Sequence, residues 1–386
     1  MTGRPGAHNA LLPMVAARDA LRRPARRLLP ARHDVRAGAL AAAIDWLCLT
    51  HEATGRRGSA KSYSLVYGWE AAYPETTGYI VGTLLAYARR GGDARHVEHA
   101  RTMGDWEIEV QSSDGGIMGG VLTHPPGPSI AFNTGMVLHG WLDLHEVLGN
   151  ERHLAAATRA GRFLVETQDV DGAWRGGHAY RGLPHAYKSR VAWALLRLAR
   201  ATGDGAFETA AMRSLDWVLS VQRENGWFES CEFKPGTLPN THGIAYTLRG
   251  LLEGHALTGT GAYLDAALLT SEALMRKVEL HDGLPATFDR DWQPGARYVC
   301  VTGVAQLGGV WLRLHELTGD ARLLNAGLKA VDQAASLQER GRFKPLDGPI
   351  PGSFPIWSRY APLQYPNWAT KFLADSLMIR DRCLAA

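Results

Sequence analysis

A unit that recurs about every 54–60 residues constrains this chain more than any single motif, because a period of that size signals stacked supersecondary units. One part of the unit is a glycine boundary between two helical patterns, at residues 89–96, 147–154, 201–204, 257–264 and 317–324. The other part closes the helix that follows. It reads Gln111 with Gly115, Gln168 with Gly172 and Trp174, and Gln222 with Gly226 and Trp227, then loosens at His281 and Gln338. Each repeat therefore holds two helices, and the number of repeats decides the fold.

The helical patterns fall into two kinds. The first members run over about 37–51, 94–111, 151–168, 205–222, 262–279 and 321–338. In 151–168, Leu154, Ala157, Gly161, Leu164 and Val165 recur at three- and four-residue steps and form one apolar face, while Arg152, Arg159, Arg162 and Glu166 fall largely elsewhere. That is the signature of an outer helix, wet on one side. The second members run over about 76–90, 132–147, 186–201, 241–257, 299–317 and 366–381, and several are apolar around most of their circumference. Glycines such as Gly78, Gly140, Gly250 and Gly303 suit close helix approach, so these are inner helices. Six outer-plus-inner pairs predict an all-α fold, an (α/α)6 toroid of six helical hairpins. The toroid is expected to occupy 36–386 as one domain, with 1–35 a basic arm that is disordered or packed on its surface.

The longest loops precede the inner helices, at about 52–75, 112–131, 169–185, 223–240, 280–298 and 339–365. They are expected to gather at one end of the barrel and to carry function there, since binding residues concentrate on loops held by a rigid scaffold. The opposite, short connections are expected only to close the ring.

Charge narrows the partners. Residues 1–36 hold eight arginines against Asp19 and Asp34, a net of +6, so the other 350 residues sum to −2. The body has no electrostatic reason to bind nucleic acid. The leader lacks the apolar core of a secretory signal. Its arginines also suit peripheral contact with an anionic membrane. Cys48, Cys231, Cys300 and Cys383 are too scattered for a zinc site or a disulfide framework, and fit reduced thiols in a cytoplasmic protein.

The two glutamine–glycine–tryptophan stretches, with Arg159, Phe163, Leu164, Arg213, Trp217 and Val218 before them, resemble the QW repeat of triterpene cyclases. More broadly, residues 37–381 resemble the six-hairpin glycosidase and terpenoid-cyclase toroid superfamilies. The resemblance implies that the repeat's glutamine caps helix ends and its tryptophan stacks on the neighbouring repeat. The cyclase chemistry has no counterpart, because no Asp-X-Asp-Asp or Asp-Asp-X-X-Asp run exists; Asp169 and Asp171 lie inside a repeat closure. Cys231, Cys300 and His242 do not have the spacing of a prenyltransferase zinc set. Residues 67–79 and 239–246 are similar to toroid proteins of bacterial exopolysaccharide clusters. That likeness implies an oligosaccharide or lipid-linked sugar as substrate.

Candidate site residues follow from what sugar chemistry needs: aromatic faces for stacking, amides and carboxylates for hydroxyls, and two carboxyl groups for glycosidic cleavage. Tyr67, Trp69, Glu70, Tyr73 and Glu75 crowd the first loop. Asp289, Asp291 and Trp292 sit in the fifth, where an acid would oppose Glu70 or Glu75. Glu229 and Glu232 are reserve acids. Asn133 and Asn240 open inner helices in an N-cap pattern, with His185, Lys188 and His242 adding hydrogen-bonding or positive character nearby. Tyr298, Tyr365 and Trp368 complete the mouths, and a Tyr–His pair beside a cation would suit proton abstraction next to a uronate carboxylate. No cofactor or metal site is expected. The leading expectation is glycan processing, by hydrolysis or by lyase or epimerase chemistry on a uronic-acid-containing sugar. An isoprenoid enzyme and a non-catalytic glycan-binding scaffold are the alternatives.

Overall fold

The glycine boundaries act as two caps back to back. In a computed structural model describing residues 5–22, 37–123, 125–281 and 284–385, Gly149, Gly203, Gly259 and Gly319 take left-handed φ of 63°, 72°, 75° and 73° at inner-helix C-termini. One residue later, Asn150, Asp204 and Asp320 accept the backbone N–H of residue +2 and start the next outer helix. A tight reversal results at each boundary.

Six inner helices follow: α3 (Pro74–Ala88), α5 (Ala131–Leu148), α7 (Ser189–Thr202), α9 (Thr241–Thr258), α11 (Val301–Thr318) and α13 (Asn367–Ala385). Six outer helices surround them: α2 (Ala39–Glu52), α4 (Ala94–Val110), α6 (Glu151–Glu166), α8 (Gly205–Ser220), α10 (Gly261–His281) and α12 (Ala321–Ser336). Each inner helix packs on the next, and α13 packs on α3 to close the ring. The fold is the (α/α)6 toroid. Glycines let the inner helices nearly touch: a Cβ on Gly140 would lie 2.2 Å from the Gly78 carbonyl oxygen, and one on Gly303 would lie 2.1 Å from Thr241 Oγ1.

The repeat glutamines stitch neighbouring units. Gln111 Nε2 donates to the carbonyls of Gly115 (2.8 Å) and Ala156 (3.0 Å), tying its own turn to α6. Gln168 does the same with Gly172 and Ala210, and Gln222 reaches Ala266. The repeat glycines need to be glycines. A Cβ on Gly172 would lie 2.2 Å from the Arg213 carbonyl. The tryptophans differ from one another: Trp174 Nε1 bonds back to Leu164 O within its own repeat, whereas Trp227 packs on Trp292 of the following loop.

The loops also form short antiparallel ladders that the helical pattern did not announce. β1 (Ser62–Ser64) pairs with β2 (Gly68–Trp69) and with β5 (Gln364–Pro366), joining the first and last loops; β3 (Val299–Cys300) pairs with β4 (Ser353–Phe354). Within the leader, residues Pro5–Arg22 form helix α1. It docks through buried Val15, the Arg18–Glu339 ion pair and Asp19, which accepts Ile356 N–H at 3.0 Å. The rest of the arm (1–4 and 23–36) and the side chain of His281 lie outside the described residues.

Candidate active site

At the long-loop end, every inner helix contributes to one aromatic cup. Pro74 opens α3, and Glu75 follows it into the mouth, where the Tyr73 hydroxyl donates to its carboxylate. Asn133, in the first turn of α5, lies beside the same hydroxyl. The Tyr73 ring stands edge-on to Trp368 at 6.4 Å, and Trp368 Nε1 donates to the Tyr360 hydroxyl at 2.9 Å. Tyr360 lies 5.7 Å from the His242 ring; Phe233, Tyr187 and Phe132 carry the wall back round to Asn133. Tyr79, Tyr246 and Phe372 make the floor, with the Arg190 guanidinium 5.0–5.9 Å from their ring centres.

Two titratable groups in this cup stand far from their ordinary values, in opposite directions. Burial raises the Glu75 carboxyl to about 7, against the lowering effects of the Tyr73 hydroxyl and Arg190. Near neutral pH both of its protonation states are therefore populated. Burial pushes His242 down to about 3, so its imidazole stays neutral. With Gln306 Oε1 accepting from Nδ1, the lone pair is left on Nε2. A carboxyl that is partly protonated near neutral pH and an imidazole that stays unprotonated share one aromatic enclosure.

The structure brings Tyr73, Glu75, Asn133, His242 and Trp368 together here. Other expected residues have different contacts. Glu70 accepts from Ser62 Oγ (2.9 Å) and pairs with Lys61 (3.4 Å) on the rim ladder. Tyr67 is 83% exposed at the β1–β2 turn, and Trp69 packs against Trp46 and Tyr63. The acid pair across the mouth needs correction: Asp289 accepts the N–H groups of Asp291 and Gln293 in a tight turn, and the Asp291 side chain is 74% exposed beside Arg290. Trp292 is buried under that turn, its Nε1 held by Asn225 O.

Several further residues are scaffold by their contacts. Asn240 is an N-cap, accepting from Gly243 N–H at 2.9 Å; Asn133 is not one, since α5 begins two residues earlier. Lys188 is buried, with Nζ donating to Trp174 O at 2.6 Å, and burial lowers it to about 7. His185 stacks behind Tyr187 at 4.6 Å. Tyr365 is fully buried and donates to Glu339. Tyr298 is half-buried beside β3, with its backbone carbonyl accepting from Ala286, and Glu229 pairs with Arg223. The sequence reading missed Tyr79, Phe132, Arg190, Phe233, Gln306, Tyr360 and Phe372. Arg190 carried the one available signal, a charge inside a run otherwise reading as core.

An opening lies at the other end of the barrel. A cavity of about 420 Å³ runs between all six inner helices near their C-termini and reaches in as far as Tyr79 and Arg190. The short-connection face, expected only to close the ring, is thus hollow.

No protein-family model and no curated protein sequence matches this chain. Solved structures do. An unsaturated glucuronyl hydrolase specific for heparin superposes with TM-score 0.71 at 14% identity, over 90% of this chain and 97% of that one. The cellobiose 2-epimerase of Spirochaeta thermophila gives 0.69 at 14% identity, over 92% and 97%. An unsaturated glucuronyl hydrolase from Bacillus sp. GL1, responsible for glycosaminoglycan degradation, gives 0.68 at 16% identity, over 88% and 95%. At such identities the likeness is one of fold, and the shared fold is the (α/α)6 toroid over nearly the whole of each chain.

Proposed function

We propose that the protein is a carbohydrate-active enzyme that moves a proton on a sugar held in the long-loop cup. The observation that carries this reading is the opposed pair, Glu75 raised to about 7 and His242 held neutral. His242 Nε2 takes the proton from a sugar carbon next to a carbonyl or carboxylate. Glu75 gives its proton to the oxygen that gains charge. Return of a proton to the opposite face yields the epimer, and departure of a β-substituent instead yields the unsaturated lyase product. Arg190 beneath the floor supplies positive potential for the anionic intermediate.

Hydrolysis by two carboxylates is less well supported, because among the described residues Glu75 is the one carboxyl group placed in the cup and Asp291 turns to solvent. An isoprenoid substrate fits less well too: Glu75, Asn133, Gln306 and the tyrosine hydroxyls suit a hydroxyl-rich ligand, while Trp368 and Tyr73 offer faces to pyranose C–H groups. Superposable structures that act on unsaturated glucuronyl sugars and on cellobiose agree with this substrate class.

The finer reading, a lipid-linked oligosaccharide at an anionic membrane surface, rests on the arginines at 22–36. No helix among the described residues is long and apolar enough to cross a membrane. Replacing Arg23, Arg26 and Arg27 by alanine is expected to weaken binding to anionic liposomes; unchanged binding removes that part.

The test of the main reading is incubation of the protein in D2O with cellobiose, a uronic-acid disaccharide and an unsaturated glucuronyl disaccharide, followed by proton NMR. Isomerisation or elimination with deuterium uptake is expected for at least one, slowed at least about hundredfold in both Glu75→Gln and His242→Ala. Turnover that persists undiminished in both variants contradicts the assignment. No turnover of any sugar by the wild type favours a binding scaffold.

A further inference from the structure

The rear cavity meets the floor of the sugar cup at Arg190 and has further features that the cup does not use. Eight cationic side chains line it: Arg89, Arg90, Arg190, Arg197, Arg249, Arg313, Lys371 and Arg382. Six carboxylates answer them. Asp143 and Glu146 pair with Arg197, Asp375 with Lys371, Asp381 with Arg90, and Glu253 and Glu316 with Arg313. Arg89, Arg249 and Arg382 share these same acids. Among the described residues two positive charges are left over.

The surplus centres on Arg190. It is 4% exposed, it lines the cavity, and its Nε has no hydrogen-bond partner among the described residues. Its close neighbours are ring faces, Tyr79, Trp193, Tyr246 and Phe372; Asp375 and Glu75 act on it through space, but among the described residues no carboxylate forms an ion pair with it. Trp193 also carries Arg249, whose guanidinium is 5.3 Å from the ring centre. Ring faces offset only part of the cost of burying a guanidinium, and an unmade hydrogen bond on a buried charged group adds to it. The site is built for an anion that enters from the rear.

We propose that this cavity binds a phosphate monoester, with the phosphoryl group on Arg190 and Arg249 and its organic part toward the rim. Two observations favour that ligand over a carboxylate. A phosphate ester carries about −1.5 to −2 charges at neutral pH, which matches the surplus of two, and its three oxygens suit several guanidinium forks at once. The cavity, at about 420 Å³, also falls in the small-molecule range and exceeds the needs of a bare ion. The ligand enters from the opposite end of the barrel to the cup; the two ends meet at Arg190, and variants of Arg249 and Glu75 tell the two readings apart.

Calorimetric titration of the full chain with inorganic phosphate, glucose 1-phosphate and glucuronate tests it. The two phosphates are expected to bind in the millimolar range or tighter, and glucuronate at least about tenfold more weakly. Tighter binding of glucose 1-phosphate identifies a sugar phosphate as the natural ligand; equal binding identifies free phosphate. Arg190→Gln should weaken phosphate binding at least about tenfold. Arg249→Ala, nearer the opening, gives the same readout if Arg190→Gln does not fold. Glu75→Gln should bind phosphate no more weakly than the wild type, which keeps this test independent of the cup. No binding to the wild type, binding indifferent to both arginine variants, glucuronate binding as tight as phosphate, or loss of binding in Glu75→Gln each overturns the proposal.

Discussion

Gln338, at the end of the last outer helix, donates its Nε2 proton to the carbonyl of Ala39 at the start of the first (2.9 Å), across 299 positions of sequence. A second Nε2 bond, to Gly348 O at 2.8 Å, fastens the same side chain to its own loop. The ring is thus closed by the same device that joins its interior repeats at Gln111 and Gln168. What differs is the length of chain whose ends the bond brings together.

Gln338→Ala removes both bonds from a buried site and leaves the Gly348 carbonyl without this partner, while Ala39 O keeps its helical bond. A loss of about 1–3 kcal/mol is expected. Urea denaturation checks it. Gln111→Ala, in a half-buried setting, should cost less.

Gly140→Ala sets helix propensity against packing. Alanine favours a helix by about 1 kcal/mol over glycine, but the added Cβ would sit 2.2 Å from the Gly78 carbonyl, which is backbone and cannot rotate away. Separation of α3 from α5 is the expected result, with destabilisation of about 1–3 kcal/mol. A melting temperature equal to or above that of the wild type would mean the two helices are less tightly joined than described.

Glu75 gives stability a pH dependence of known sign. In the unfolded chain its carboxyl loses its proton near 4.5; in the folded chain it keeps it to about 7. Between these values the folded state binds more protons, so stability falls as pH rises through the window, and the cost is complete above about pH 7. Glu75→Gln should therefore match the wild type near pH 4 and exceed it at pH 8, on the order of 3 kcal/mol. Melting curves at the two pH values decide it.

Asp291→Asn should leave turnover within about twofold of the wild type, the effect expected of an exposed substitution away from the site. A steady-state assay beside Glu75→Gln distinguishes the two acids, which sequence alone ranks as equals.

That contrast shows what was legible in the chain. The twelve barrel helices and their order follow from local signals: an apolar stripe of period 3.6, a left-handed glycine, and an Asp or Asn cap one residue on. Each such signal is contained within a few residues. The cup depends instead on which inward-facing residues of six separate helices meet. Tyr79, Tyr246 and Phe372 read as core because they are apolar positions on buried helices, and Gln306 is set apart only by its bond to His242. Lys188 and Tyr365 had the residue types of a sugar site, but folding spends both on backbone and side-chain partners. The rear cavity was hidden for a related reason: Arg89, Arg90, Arg197, Arg313 and Arg382 sit toward helix C-termini, where basic residues are ordinary.

The pH dependence of kcat/KM, measured with whichever sugar the protein converts, tests the central claim most directly, because Glu75 must be protonated to act as the acid while His242 is already neutral. Activity is expected to hold level through pH 5–6, to fall with an apparent pKa of about 7, and to show no rise near 6.5 from a titrating histidine; in Glu75→Gln the residual rate should lose the limb near 7. A limb near 7 that survives in Glu75→Gln would place the acid elsewhere and contradict the account.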